Sequence, residues 1–148
     1  VRSSSHEGFT LLEILIVVAI IGVLATVVSV NVMSQLDATR VRLAKVQMRR
    51  IDGSLVLYKL DAGTYPSTDQ GLVALARRPA DFPERGRYPE DGYLEPDLLR
   101  DPWSQSWLYE SPGRHNPRRY DLASLGADGK EKGPDSDDIT NWDGTLPR

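Results

Sequence analysis

No proline falls between Phe9 and Leu60, and the only glycines in that interval are Gly22 and Gly53. A stretch so long without a helix breaker favours one continuous α-helix. At about 1.5 Å per residue it would run roughly 75–80 Å, a rod that a small globule does not need. The ten prolines and most of the twelve glycines come after Asp61. The chain therefore divides into a helical stem and a turn-rich head.

The stem begins with an anomaly. Ile14 to Val30 is continuously apolar apart from small and hydroxylated residues, and with its flanks it reaches the roughly twenty residues that cross a bilayer as a helix. Glu13 stands at its start. A carboxylate inside a membrane span costs about 2.5–3.5 kcal/mol at the helix centre and less toward an end, so its presence calls for a partner. The preceding residues 1–8 are polar, with Arg2 and the terminal amine as positive charges, in the manner of a leader on the cytoplasmic side. An ordinary secretory signal peptide is the competing reading, with small residues near Ala25 for cleavage, but an acid opening the apolar stretch disfavours it.

With 148 residues, one soluble domain fits beside such a segment. The formal charge of −3 supplies no basic field, which argues against a nucleic-acid partner. Cysteine is absent, so no disulfide braces the head. The two histidines, His6 and His115, lie in polar segments, and no nucleophile has an activating neighbour in sequence. Catalysis therefore has little support from the sequence, although residues that only the fold brings together are not visible to it.

Gly8-Phe9-Thr10-Leu11-Leu12-Glu13 resembles the processing site of type IV pilins and type II secretion pseudopilins. The resemblance implies cleavage after Gly8 by a prepilin peptidase and N-methylation of Phe9. It also implies a role in assembly for Phe9 and Glu13, because the amine of Phe9 in a neighbouring subunit would neutralise Glu13. An ammonium and a carboxylate in lipid attract strongly, whereas either alone carries a desolvation penalty.

Beyond Asn31 the residues become amphipathic. Val41, Ala44, Met48, Ile51, Leu55 and Tyr58 recur at steps of three and four, which places them on one helical face. Arg40, Arg42, Lys45, Arg49, Arg50 and Lys59 lie largely off that stripe and read as a solvated face. Gly63 suits a left-handed cap, and Pro66 cannot continue the helix. In the head, Ser67 or Thr68 is expected to cap a short helix that turns Leu72 and Leu75 inward. Residues 77–101, with Pro79, Pro83, Pro89 and Pro96, read as an irregular surface connector. Residues 107–109 and 120–125 have strand character, with Pro112-Gly113 as the intervening turn. The expected fold is α+β: a long N-terminal helix, with a membrane-spanning half and an amphipathic half, packed on a small antiparallel sheet. The expected boundaries are 1–8 leader, 9–30 membrane-spanning half, 31–62 amphipathic half and 63–148 head.

Asp128, Asp135, Asp137, Asp138 and Asp143 crowd the C-terminal stretch beside Ser136. Hard oxygen donors at irregular spacing suit Ca²⁺, while zinc ligands are missing there and the regular EF-hand spacing is absent. Composition alone leaves a calcium loop and an acidic tail both open. Residues 65–72, Gly92-Tyr93-Leu94, Asp101-Pro102-Trp103, Pro112-Gly113 and residues 125–129 are together similar to the head of major pseudopilins. That resemblance implies Ca²⁺ held by the carbonyl of Leu125, the carboxylates of Asp128, Asp135 and Asp138, and an oxygen of Ser136. Two departures stand out. Val30 occupies a position where family members commonly carry proline, and Ser104 and Ser106 replace the glycine and proline usual after the Asp-Pro-Trp turn.

The function implied is that of a structural subunit of a type II secretion pseudopilus, polymerising through its N-terminal helix to help export folded proteins across the outer membrane. Its implied partners are further copies of itself, minor pseudopilins, the prepilin peptidase and the inner-membrane assembly platform. The implied location is single-pass in a bacterial inner membrane with the head in the periplasm. A type IV pilin or minor pseudopilin is the alternative, and a secreted calcium-binding module or hydrolase a more distant one.

Overall fold

The computed structural model describes residues 10–130 and 138–143, with the backbone alone for 25–35. The chain divides into two compact units, Val1–Ala38 and Thr39–Arg148. Among the described residues, helix α1, Leu11–Ala62, supplies the regular structure of the first unit and opens the second.

In the first unit, Thr10 starts the helix. Its hydroxyl accepts the backbone N–H of Glu13 at 3.2 Å, and its carbonyl accepts those of Glu13 and Ile14 at 3.1 and 3.3 Å. Every large apolar side chain from Leu11 to Leu24 is 48–82 % exposed, so residues 11–24 present an apolar surface to their surroundings. Among the described residues no helix is long and apolar enough to cross a membrane. The apolar run of the sequence continues through residues 25–30, whose side chains are not described.

The second unit is organised on the remainder of α1. Ala44, Met48, Ile51, Leu55 and Tyr58 are buried as their periodicity predicts, with Val41 packed at the margin. The helix stops at Ala62, and Gly63 follows at φ 84° with its N–H on the carbonyl of Lys59 at 2.8 Å, a left-handed cap. Helix α2, Val73–Ala76, buries Ala74 and Leu75, and Leu72 beside it is buried too. The expected cap differs. Ser67 and Gln70 exchange hydrogen bonds across the turn that precedes α2, Ser67 N–H to Gln70 Oε1 at 2.8 Å and Gln70 N–H to Ser67 Oγ at 3.2 Å, while α2 itself has no side-chain cap. The hydroxyl thus closes a turn and does not start the helix.

The connector also departs from expectation. It contains a 3₁₀ turn, Pro96–Leu99, and it is not merely a surface strand of chain, because Phe82 and Leu94 are buried. Tyr58 of α1 meets Phe82 and Tyr93 edge-on at 5.4 and 5.6 Å, and Tyr88 meets both of those rings at 5.2 and 5.0 Å. Edge-to-face pairs of this kind add to simple area burial. Ser54 completes the attachment by donating its hydroxyl to the carbonyl of Tyr93 at 2.7 Å.

Three short strands form an antiparallel sheet in the order β1-β2-β3: β1 Leu108–Glu110, β2 Asp121–Ser124 and β3 Ile139–Thr140. The register pairs Leu108 with Ala123, and Ser124 with Ile139. Tyr120, Leu122, Ile139 and Trp107 join the α1 stripe in one hydrophobic cluster. The helix-on-sheet expectation is met within this unit. β3 was not expected, since two residues carry too little alternation to be seen in sequence.

Candidate functional site

The N-terminal site is partly visible. Gly8 and Phe9 lie outside the described residues; Glu13 lies in the exposed first turn of α1. Thr10-Leu11-Leu12-Glu13 has the spacing of a capping box, in which the hydroxyl at the first position takes the N–H at the fourth, as here. Thr10 is therefore the side chain that caps the helix, a role that sequence reasoning missed, and Glu13 contributes its backbone N–H. Its negative charge also sits where the helix dipole is positive. The signal was available in the Thr-x-x-Glu spacing.

The second site follows β2. Ser124 pairs with Ile139, so Leu125 follows the last β2 pair and Asp138 precedes it, at the same end of the sheet. Leu125 and Asp138 are half-buried, with Asp138 Oδ1 closed to solvent, and Asp128 is exposed. Asp128 Oδ1 accepts the N–H of Lys130 at 3.0 Å, which bends the chain at Gly129, φ 65°. Asp135 and Ser136 lie outside the described residues. Among the described residues no three carboxylate, histidine or cysteine side chains converge as a metal site. Leu125, Asp128 and Asp138 fit a hard cation by donor type, since all offer oxygen.

Side chains absent from the expected set fix the base of this loop. The buried carboxylate of Asp101 accepts the N–H groups of Trp103 and Gln105 through Oδ1, at 3.0 and 2.8 Å, and the hydroxyl of Ser124 through Oδ2, at 2.7 Å. Ser124 Oγ in turn accepts the N–H of Gly126 at 3.4 Å, and Gln105 Nε2 donates to the Gly126 carbonyl at 2.9 Å. The Asp-Pro-Trp turn is thereby tied to the residues after β2. The bonds from Ser124 to Asp101 and from Gln105 to Gly126 join residues 23 and 21 apart in sequence, so no local spacing announces them.

His115 adjoins a carboxylate, and its surroundings assign it to structure. Asp121, buried on β2, accepts the N–H of His115 at 2.8 Å and that of Asn116 at 3.0 Å, the Nδ2 of Asn116 at 3.1 Å, and lies 3.0 Å from His115 Nδ1. Burial pushes the Asp121 carboxyl up, but the hydrogen bonds from His115 and Asn116 and the histidine's charge outweigh it and hold the group below the ordinary carboxylate range. His115 stacks on Trp142 at 4.4 Å. The cluster clamps the 111–119 loop onto the sheet.

Comparison with known proteins follows the same two sites. A family profile described as "Type II secretion system (T2SS), protein G" matches residues 31–142, and one described as "Prokaryotic N-terminal methylation motif" matches residues 3–29. The chain is similar to "Type II secretion system core protein G" of Pseudomonas aeruginosa, at 49 % identity over 139 residues, covering 93 % of this chain and 96 % of that protein. The protein of the same description from Vibrio cholerae is 41 % identical over 142 residues, covering 95 % and 94 %. Among solved structures, the major pseudopilin from the type 2 secretion system of enterohaemorrhagic Escherichia coli superposes with a TM-score of 0.59 at 34 % identity, over 76 % of this chain and 94 % of that one.

Proposed function

The chain belongs to the protein G family of the type II secretion system, and we infer from that membership that it is a structural subunit of the secretion pseudopilus, not an enzyme. One observation carries the reading: a head matched by the protein G profile over residues 31–142 follows a methylation motif over residues 3–29. A type IV pilin or minor pseudopilin does not account for the head match as directly.

The N-terminal part of the inference concerns assembly. Cleavage after Gly8 and methylation of Phe9 would leave the amine of Phe9 to pair with Glu13 of an adjacent subunit. The exposed apolar surface of residues 11–24 supports a helix that lipid or neighbouring helices cover, since a solitary chain in water would not leave so much of it bare. On this reading the protein is held in the inner membrane by a single pass with its head in the periplasm. It polymerises with minor pseudopilins, after the prepilin peptidase has acted and on the inner-membrane platform, to help move folded proteins across the outer membrane. Intact-mass analysis of the mature protein tests the processing. A chain starting at methylated Phe9 is expected, and a start near Thr26 would indicate an ordinary signal peptide instead.

The second part concerns Ca²⁺. The donor types of Leu125, Asp128 and Asp138, and the register that brings Leu125 and Asp138 to the same end of the sheet, support a calcium loop completed by Asp135 and Ser136. When bound, the ion would supply charge neutralisation and cross-linking to a head with no disulfide. Binding only the folded state adds about 2.7 kcal/mol when free ligand is a hundredfold above its Kd. Asp128→Ala should lower the melting temperature in calcium and abolish the shift that a chelator produces. Equal melting of the unmutated protein with and without chelator would count against the loop.

A further inference from the structure

We propose that Gln105 is a positioning residue for the calcium loop, held in place by the strained turn that precedes it. The proposal rests on the calcium reading above and concerns how the described part of that loop, residues 125–130, is kept ready for the ion.

Three observations converge. Ser104 adopts φ 65°, the one left-handed non-glycine residue among those described. A serine there carries a backbone cost that glycine would avoid. The cost is sustained because Asp101 Oδ1 accepts the N–H of both Trp103 and Gln105, while Arg100 and Ser106 bridge the ends of the turn. The result is that Gln105 projects onto the residues after β2. Its Nε2 donates to the Gly126 carbonyl at 2.9 Å. On the other side Gly129 packs so closely that a Cβ there would fall 2.6 Å from Gln105 Oε1.

Gln105 therefore touches both left-handed glycines that bracket Ala127 and Asp128, Gly126 at φ 64° and Gly129 at φ 65°. Holding both ends fixes the course of the backbone that carries the Asp128 carboxylate and the Leu125 carbonyl. Without the strut the segment samples other conformations, and calcium must select the competent one, which weakens apparent affinity by the fraction lost. Gln105 would touch no ion; it acts through Gly126 and Gly129.

The test uses the full chain in detergent, with calcium titrated calorimetrically and amide exchange measured in chelator. Gln105→Met keeps the length and packing of the side chain and removes its hydrogen bond, so it guards against simple misfolding of Gln105→Ala. Both variants are expected to weaken calcium binding about tenfold. Both should also speed exchange at residues 125–130 in chelator. A merely structural glutamine would lower melting equally with and without calcium and leave the calcium Kd unchanged, and that result overturns the proposal while the calcium loop stands. A wild-type chain that binds no calcium overturns the loop, and this proposal with it.

Discussion

Single residues carry more of this fold than their exposure suggests, and Ser104 is the sharpest case. At φ 65° it should tolerate glycine and reject a β-branched side chain. Ser104→Gly is expected to leave stability unchanged or raise it by up to about 1 kcal/mol, and Ser104→Val to cost about 2 kcal/mol, read by denaturant unfolding. Asp121 gives a pH-dependent counterpart. Its carboxyl is depressed in the folded state, so its contribution is present above the unfolded value near ~3.9 and is lost as pH falls through the folded value. Asp121→Asn should cost about 2–3 kcal/mol at neutral pH, and the gap to wild type should close at the acid end of a melting series. Neither effect is legible locally. Ser104 could be recognised only as a departure from the glycine of similar heads, and Asp121 read as an ordinary strand residue until Gly113 to Asn116 folded over it.

At the scale of elements, α1 separates into faces with different obligations. Ile51 and Leu55 are fully buried, so Ile51→Ala or Leu55→Ala should each cost about 2–5 kcal/mol. Leu60 on the same helix is 76 % exposed, and Leu60→Ser should change stability by no more than about 0.5 kcal/mol. Measured by denaturant unfolding, that contrast checks which side of the helix faces the sheet. The stripe from Val41 to Tyr58 was readable because helical burial is periodic. The connector was not, because its proline content signals irregular backbone and says nothing about burial. Phe82 and Tyr93 are held by the ring of Tyr58 and Tyr93 also by the hydroxyl of Ser54, partners on α1 distant in sequence, and Tyr88 packs on those two rings. The strands at 107–109 and 120–125 were found within a residue at most ends, and β3 needed its pairing with β2 to exist at all.

For the molecule as a whole, the two ends divide the work. The head matches the protein G family over residues 31–142, and its helix-on-sheet core carries the loop proposed to bind calcium. Residues 11–24 of α1 leave their large apolar side chains exposed. A chain built this way is incomplete alone, which accords with a polymer subunit. Glu13 is where local and collective roles meet, since its backbone N–H is capped by Thr10 and its carboxylate is proposed to meet the amine of a neighbour.

Those two roles can be separated, because Glu13→Gln keeps the backbone N–H that Thr10 caps and removes the charge. The decisive measurement is electron microscopy of filaments from cells expressing the chain together with its secretion machinery, comparing wild type with Glu13→Gln. The account predicts that Glu13→Gln is cleaved, methylated and membrane-inserted yet yields few filaments. Filaments of normal number and length from Glu13→Gln would contradict it.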